Sequence, residues 1–267
     1  MPRVTVSGLP AWLDAPRLLG PGDWRAAGGA LAAELPRSEA AALDARLRGV
    51  VLGGERLVVE VVPPLRRPEV RAARLEDARA RRETTPGFDR PGTKLDEVGR
   101  WSLTPAALAL ALGRRAGGQD RHGVTVLDAC CGCGGNAIGF ARAGCRVVAV
   151  DTDGSRLALA RHNARAYGVA DRIRFVEGRA QDHAATAGAA LWFVDPPWST
   201  DGVVATTVAG LTPLPELLAL PGRPRVWAKL APAFPASVLG GSIEAVFGEA
   251  PGDARRVKFL LVDLPPA

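Results

Sequence analysis

The tetrapeptide Asp195-Pro196-Pro197-Trp198 follows the apolar run Leu191-Trp192-Phe193-Val194. Four apolar residues ending in a carboxylate and two prolines read as a buried strand that stops abruptly. Such an end places the next side chains at the carboxyl edge of a sheet, where open α/β folds bind ligands. The Asp195 carboxylate and the Pro196 carbonyl are then two acceptors held by a rigid Pro-Pro step, with the flat face of Trp198 beside them. That set suits a planar amino group on a heteroaromatic ring: two N–H bonds to the acceptors, and the ring stacked on the indole for about 1–3 kcal/mol. The competing reading is a proline-rich turn whose tryptophan fills core.

Upstream, Val124-Thr125-Val126-Leu127-Asp128 is a short β-branched strand that runs into Ala129-Cys-Cys-Gly-Cys-Gly-Gly-Asn136 and then a helical pattern from Ala137 to Ala143. Strand, glycine-rich turn and helix bring backbone close to a nucleotide-like ligand. The spacing is not G-x-G-x-x-G, so a pyrophosphate cradle is not implied. Asp128 at the head of the loop suits a cation. The next strand, Arg146 to Val150, ends in Asp151, at about the distance where a ribose-binding acid sits. One acid for an ammonium and one for a ribose diol match S-adenosylmethionine, which leaves as S-adenosylhomocysteine. Asn136 and Thr104 are placed to reach its carboxylate, or else to cap the helices that follow them.

The stretch from Val124 through Trp198 resembles class I S-adenosylmethionine-dependent methyltransferases, and more closely the RNA cap guanine-N2 methyltransferase (trimethylguanosine synthase) family. The residues that carry the likeness are Asp128 to Asn136, Ala149-Val-Asp-Thr-Asp153, Leu157 to Asn163, Tyr167 to Ile173 and Pro196-Pro-Trp198, with an echo in Trp101-Ser-Leu-Thr-Pro105. It covers roughly 94–264. The resemblance implies a cofactor site of Thr104, Asp128, Cys131, Gly132, Gly134, Asn136, Asp151, Thr152, Arg179, Ala180 and Asp195. It implies catalysis by Asp195, Pro196 and Trp198, and an acceptor slot walled by Trp198, Trp101 and Ser102. Two positions depart from the pattern. The family usually has Ser where Asp195 stands, and Asp there is commoner in adenine-N6 and other amino methyltransferases; an acid often follows Gly178 in such folds, but here it is Arg179.

The elements that must position these residues follow at regular intervals. Strands are expected at Val124–Leu127, Arg146–Val150, Ile173–Val176, Leu191–Val194, Arg225–Leu230, Ser242–Phe247 and Arg256–Asp263. The last two are joined by the turn Gly248–Asp253 and read as a hairpin. The expected fold is therefore α/β, Rossmann-like, a class I methyltransferase with a seven-stranded mixed sheet and a C-terminal antiparallel hairpin. Helices are expected from Thr104 (N-cap) with Pro105 in the first position, and over Ser155–Tyr167. Trp192 alternates inward and reads as core.

The glycine-proline stretch Thr85–Thr93 divides the chain into a small α+β accessory segment, residues 1–90, and a methyltransferase domain, residues 91–267. In the first part, Ser38–Arg48 reads as a helix capped by Ser38, and Arg56–Val62 as a strand closing at Pro63-Pro64. Residues 66–82 hold seven arginines, with Arg67, Arg71 and Arg74 on one helical face. Such a face is either a solvated surface paired with Glu69, Glu76 and Asp77 or a stripe for phosphates.

The 267 residues suffice for one large α/β domain plus a smaller segment, and a net charge of +6 invites a nucleic-acid partner. Only Lys94, Lys229 and Lys258 are lysines among the 34 basic residues, so arginine-rich coding accounts for much of that charge. No apolar run has membrane-spanning length and Met1–Trp12 lacks a signal-peptide core, which leads to the expectation of a cytoplasmic protein without a membrane partner. Cys130, Cys131, Cys133 and Cys145 lack zinc-ligand spacing, so no metal is expected; they read as small reduced residues. His122, His162 and His183 are scattered, with His162 and His183 expected to be exposed and none catalytic.

The acceptor is accordingly read as guanine N2 in RNA or a nucleotide. The alternatives are adenine N6, a protein amide, a small-molecule amine, or a nucleic-acid-binding scaffold without turnover. Oligomeric state is not legible.

Overall fold

A computed structural model describes residues 1–117, 123–200 and 203–267, so His122 lies outside the described residues. Its largest sheet has seven strands: β7 (Thr125–Ala129), β8 (Arg146–Asp151), β9 (Ile173–Glu177), β10 (Leu191–Val194), β13 (Arg225–Leu230), β14 (Ser242–Phe247) and β15 (Val257–Leu264), in the order β14-β15-β13-β10-β7-β8-β9. Strands β7, β8, β9, β10 and β13 pair in parallel. Numbered along the chain within this sheet, the order is 3-2-1-4-5-7-6, a mixed Rossmann-like arrangement whose direction of winding reverses between β7 and β10. Ligands bind in the crevice at the carboxyl ends of strands beside such a reversal.

Sequence and strand agree because β10 is buried at all four positions and β13 at all but its first, as continuous apolar runs are when both faces are covered. The helices on this sheet are α5 (Ala106–Ala116), α6 (Gly135–Arg142), α7 (Gly154–Ala166), α8 (Ala180–Ala184) and α9 (Leu214–Leu218), with a short α4 (Gly99–Ser102) ahead of them. Helices α5 and α6 approach closely at Gly113 and Gly139. A Cβ built on Gly139 would lie 2.4 Å from the Ala109 carbonyl carbon, so only glycine fits there. A short pair, β11 (Ser199–Thr200) and β12 (Val203–Val204), follows the Asp-Pro-Pro-Trp segment.

Two compact units result. One comprises Pro86–Leu230, Leu239–Ser242 and Val262–Ala267, and contains every residue named above for the cofactor and acceptor sites. The other comprises Met1–Thr85 together with Ala231–Val238 and Ile243–Leu261. In the latter, β1 (Arg3–Ser7), β2 (Arg25–Ala27), β3 (Ala30–Glu34) and β6 (Val58–Val62) form a four-stranded sheet in the order β2-β3-β1-β6. Its core gathers Val4, Val6, Leu18, Leu43, Leu47 and Phe247, with helices α1 (Ala15–Leu19), α2 (Arg37–Leu47) and α3 (Arg67–Ala80) completing the unit.

Three local expectations are corrected. Helix α2 begins at Arg37 with Pro36 in the capping position, so Ser38 lies inside the first turn. The segment expected as one strand from Arg56 is split: Glu55–Arg56 (β5) pairs back on Val51–Leu52 (β4), and only Val58–Val62 joins β1. Helix α5 begins at Ala106 with Pro105 in the capping position, so Thr104 caps nothing. In each helix a proline sets the entry dihedral and the expected hydroxyl cap is displaced by one or two residues.

Candidate active site

The carboxyl ends of four neighbouring strands set out the polar groups in a row. Register aligns Phe193 of β10 with Asp128 of β7, and Asp128 with Ala149 of β8, so Asp151, Asp128 and Asp195 end adjacent strands. On the other side of β10, Val194 pairs with Ala228. The residues just beyond, Asp195 and Lys229, therefore meet: the Lys229 ammonium donates to Asp195 Oδ2 at 2.6 Å. A cavity of about 1040 Å³ opens over this edge, the upper end of the size usual for small-ligand sites. It is lined by Trp101, Ser102, Thr104, Cys131, Gly132, Asn136, Asp151, Thr152, Arg179, Ala180, Asp195, Pro196 and Trp198 among others. Asp128 and Gly134 do not line it.

The glycine loop is built from β7 to α6. Gly132 and Gly134 take φ of +51° and +91°, left-handed values that a side chain would strain. Asp151 fastens this loop: its Oδ2 accepts the Gly132 N–H at 2.7 Å and its Oδ1 the Asp153 N–H at 3.0 Å. Each oxygen keeps a lone pair for a hydroxyl. Asn136 is not the cap of α6, a position held by Gly134; it donates instead from Nδ2 to Asp195 Oδ2 at 3.2 Å and so ties the loop to the end of β10. Thr152 and Arg179 are exposed on the rim, while Ala180 is buried at the start of α8.

Asp128 lies one residue beneath the lining and is fully buried, with neither carboxylate oxygen in a hydrogen bond among the described residues. Burial, followed by the neighbouring Asp195 carboxylate, pushes its pKa up to about 8. Thr104 Oγ1 and Asn136 Oδ1 are likewise buried and unpartnered. Thr104 and Asn136 line the cavity and Asp128 sits just beneath it; orphaned polar atoms there are costly when dry, and they fit a ligand that brings an ammonium, a carboxylate and hydroxyls. S-adenosylmethionine is such a ligand, so the residues present suit it.

At the opposite end, Trp198 donates from Nε1 to the Lys229 carbonyl at 3.2 Å, and the Lys229 ammonium lies 5.0 Å from the indole centroid. The same ammonium donates to the Ser102 carbonyl at 3.2 Å. Burial raises the Asp195 pKa, while Lys229 and Asn136 hold it back. Trp101 lines the cavity mouth and is 87% exposed. Trp192 is buried, in keeping with a core role.

Three contributors escaped the reading from sequence. Lys229 had a signal: a lone lysine inside the apolar strand Val226-Trp-Ala-Lys-Leu230, in a chain whose surface cations are arginines. Asp96 had none, because nothing periodic surrounds it. Its carboxylate accepts the Gly99 N–H at 2.6 Å and Arg156 Nε at 2.8 Å, and lies 3.3 Å from Cys133 Sγ, holding the segment before α4 against the glycine loop. Asn163, buried on α7, brackets the same segment through Lys94 N–H and C=O and the Cys133 carbonyl.

The cysteines are free. Cys131, Cys133 and Cys145 are buried and Cys130 is half-buried, and no metal-binding cluster occurs among the described residues. Burial raises the thiol pKa of all four, that of Cys133 to about 11. His162 and His183 are half-buried rather than exposed, His162 Nε2 lying 2.7 Å from the Gly92 carbonyl. No helix among the described residues is long and apolar enough to cross a membrane.

The fold and the polar groups along its carboxyl edge resemble those of class I, S-adenosylmethionine-dependent methyltransferases. Residues 123–206 match the model of the RNA cap guanine-N2 methyltransferase family, and the chain resembles that family. It is 32% identical over 129 residues to trimethylguanosine synthase of Schizosaccharomyces pombe, covering 46% of this chain and 53% of that protein. It is 30% identical over 112 residues to the 23S rRNA (uracil(1939)-C(5))-methyltransferase of Acidithiobacillus ferrooxidans, covering 40% of this chain and 24% of that one. The chain thus spans about half the length of the first relative and a quarter of the second. Among solved structures, the C-terminal domain of precorrin-6Y C5,15-methyltransferase from Rhodobacter capsulatus aligns at a TM-score of 0.42 and 20% identity, over 68% of this chain and 98% of that one.

Proposed function

We propose that this chain transfers a methyl group to the exocyclic amino group of a planar nucleobase, guanine N2 of RNA or of a nucleotide. The observation that carries the reading is the cluster of Asp195, Pro196 and Trp198 on one wall of the cavity, with Lys229 fixing Asp195. S-adenosylmethionine, when bound, supplies an electrophilic methyl on a sulfonium. The task left to the chain is to align an amine whose lone pair is delocalised into its ring.

Both side-chain donors near Asp195 engage Oδ2: the Lys229 ammonium at 2.6 Å and the neutral Asn136 amide at 3.2 Å. Neither falls on Oδ1, which is assigned one amine N–H, with the Pro196 carbonyl taking the other. Two such bonds favour a more pyramidal, nucleophilic nitrogen, and the Trp198 face holds the ring in place. As the nitrogen–carbon bond forms and the carbon–sulfur bond breaks, the amine becomes cationic and releases a proton to Asp195 or to water. The raised Asp195 pKa makes that carboxylate a better acceptor.

Thr104 is assigned the carboxylate of the methyl donor, Asp151 its ribose hydroxyls, and Thr152, Arg179 and Ala180 the adenine end, while Asp128, from beneath the glycine loop, is assigned the negative charge that draws the donor's ammonium. A carbon acceptor such as uracil C5 fits less well. Its activation calls for a nucleophilic thiolate, and the four cysteines here are raised toward the neutral thiol by burial. One observation favours a second reading: Asp, not Ser, at position 195 leaves adenine N6 or a small-molecule amine as acceptors. Labelled-methyl transfer to total RNA, free nucleotides and a metabolite extract separates these readings by the base that gains mass.

A further inference from the structure

Helix α3 has no buried residue, yet its charges are sorted by face. Its three acids are all engaged. Glu69 is gripped by Arg37, through Nε at 2.7 Å and Nη2 at 2.9 Å. Glu76 pairs with Arg79 at 3.7 Å, and Asp77 with both Arg81 at 2.9 Å and Arg256. Arg67, Arg71 and Arg74 are left with no carboxylate within ion-pair distance among the described residues. All three are exposed, and they line one concavity of about 420 Å³ with Leu65, Val70 and Leu75. Leu75 is 56% exposed.

We propose that this groove binds a single-stranded RNA backbone, the three guanidinium groups taking successive phosphates while riboses and bases rest on the leucine and valine floor. The proposal rests on the reading of RNA as the acceptor. Arginine forks suit phosphate oxygens, and a basic groove with an apolar floor suits a flexible strand better than a rigid duplex. An acidic peptide would also meet the charge requirement. The phosphodiester repeat is favoured because the planar guanidinium forks match phosphate oxygens and the apolar floor of Leu65, Val70 and Leu75 offers a rest for riboses and bases, which an acidic peptide does not bring.

The test uses the full chain and a fluorescein-labelled single-stranded RNA oligonucleotide, with polyglutamate as a competitor. Binding is followed by anisotropy across a salt series for wild type and for Arg67→Ala/Arg71→Ala/Arg74→Ala, all surface changes. The triple variant is expected to bind RNA at least tenfold more weakly. Its salt dependence should be shallower by about 2 in log–log slope, as three lost phosphate contacts imply for single strands. Methyl transfer to a free nucleotide should be unchanged. Equal RNA affinity and slope in the two proteins would overturn the groove, as would displacement of RNA by polyglutamate at lower concentration than by unlabelled RNA. Failure of wild type to methylate any RNA, with groove-dependent RNA binding intact, would instead retire RNA as the acceptor and leave the groove standing.

Discussion

Asp195 and Lys229 form a buried ion pair, 2.6 Å from Oδ2 to Nζ, at the ends of two adjacent parallel strands. The lysine side chain is 3% exposed and the aspartate 15%, so solvent screens the pair poorly. Removing one member of such a pair leaves an uncompensated charge. Lys229 thereby holds the carboxylate in position and lowers a pKa that burial raises.

Lys229→Met is expected to raise the Asp195 pKa further, because the lysine is the first of the groups holding it down. The acid limb of the kcat–pH profile, which requires the carboxylate, should move to higher pH, with a fall of ten- to a hundredfold at neutral pH. Affinity for S-adenosylmethionine should change little. A profile that superimposes on the wild-type one would show that Asp195 ionisation does not govern turnover.

Asp128 titrates in the opposite sense to an ordinary ion-paired acid. Its folded pKa of about 8 lies above the unfolded value, so the native state holds an extra proton. Stability from this group is full below the unfolded pKa and is lost as pH rises toward 8. Asp128→Asn should flatten this decline in urea denaturation midpoints. The same substitution should weaken S-adenosylmethionine binding at least tenfold, and wild-type binding at pH 7 should release a proton, seen by calorimetry in buffers of different ionisation enthalpy. Binding by the variant at wild-type affinity would make Asp128 purely structural.

Asp151→Ala removes the acceptor assigned to the ribose and also the two N–H bonds that hold Gly132 and Asp153. Dissociation constants for S-adenosylmethionine should rise at least tenfold, since each bond to a charged acceptor contributes roughly 1.5–3 kcal/mol. An unchanged constant by calorimetry would remove Asp151 from the cofactor site.

Trp198→Phe should keep part of the activity and Trp198→Ala very little, with cofactor affinity nearly unchanged in both. The Lys229 ammonium 5.0 Å from this indole already uses its π-face, so a second cation stacked on the ring gains little. Neutral guanine is therefore expected to be a better acceptor than a 7-methylguanine cation. A strong preference for the 7-methylated base in kcat/KM would count against this placement of charge.

The sheet was legible because its strands are continuous apolar runs with punctuated ends; Leu191–Val194, Arg225–Leu230 and Ser242–Phe247 coincide with the observed strands. Asp195 and Trp198 stood out through the Pro-Pro step between them. Lys229 did not, because its role depends on the lateral register of β10 and β13, which is a tertiary fact. Asn136 lines the cavity, as a cofactor ligand must, and its Nδ2 also bonds Asp195, a pairing across the sheet edge that local sequence does not reveal. The compact unit that holds Met1–Thr85 also takes residues 231–238 and 243–261. Phe247 packing with Val4 and Leu47 is a contact between chain ends that no local pattern announces.

The central claim is transfer to an exocyclic amino group, and one assay addresses it directly. Wild type and Asp195→Ala are incubated with methyl-labelled S-adenosylmethionine and total RNA, and the nucleosides are resolved by mass spectrometry. The account predicts label in N2-methylguanosine, with Asp195→Ala reduced by at least a hundredfold while still binding the methyl donor. Label on a ring carbon such as uracil C5, or wild-type-like labelling by Asp195→Ala, would contradict it.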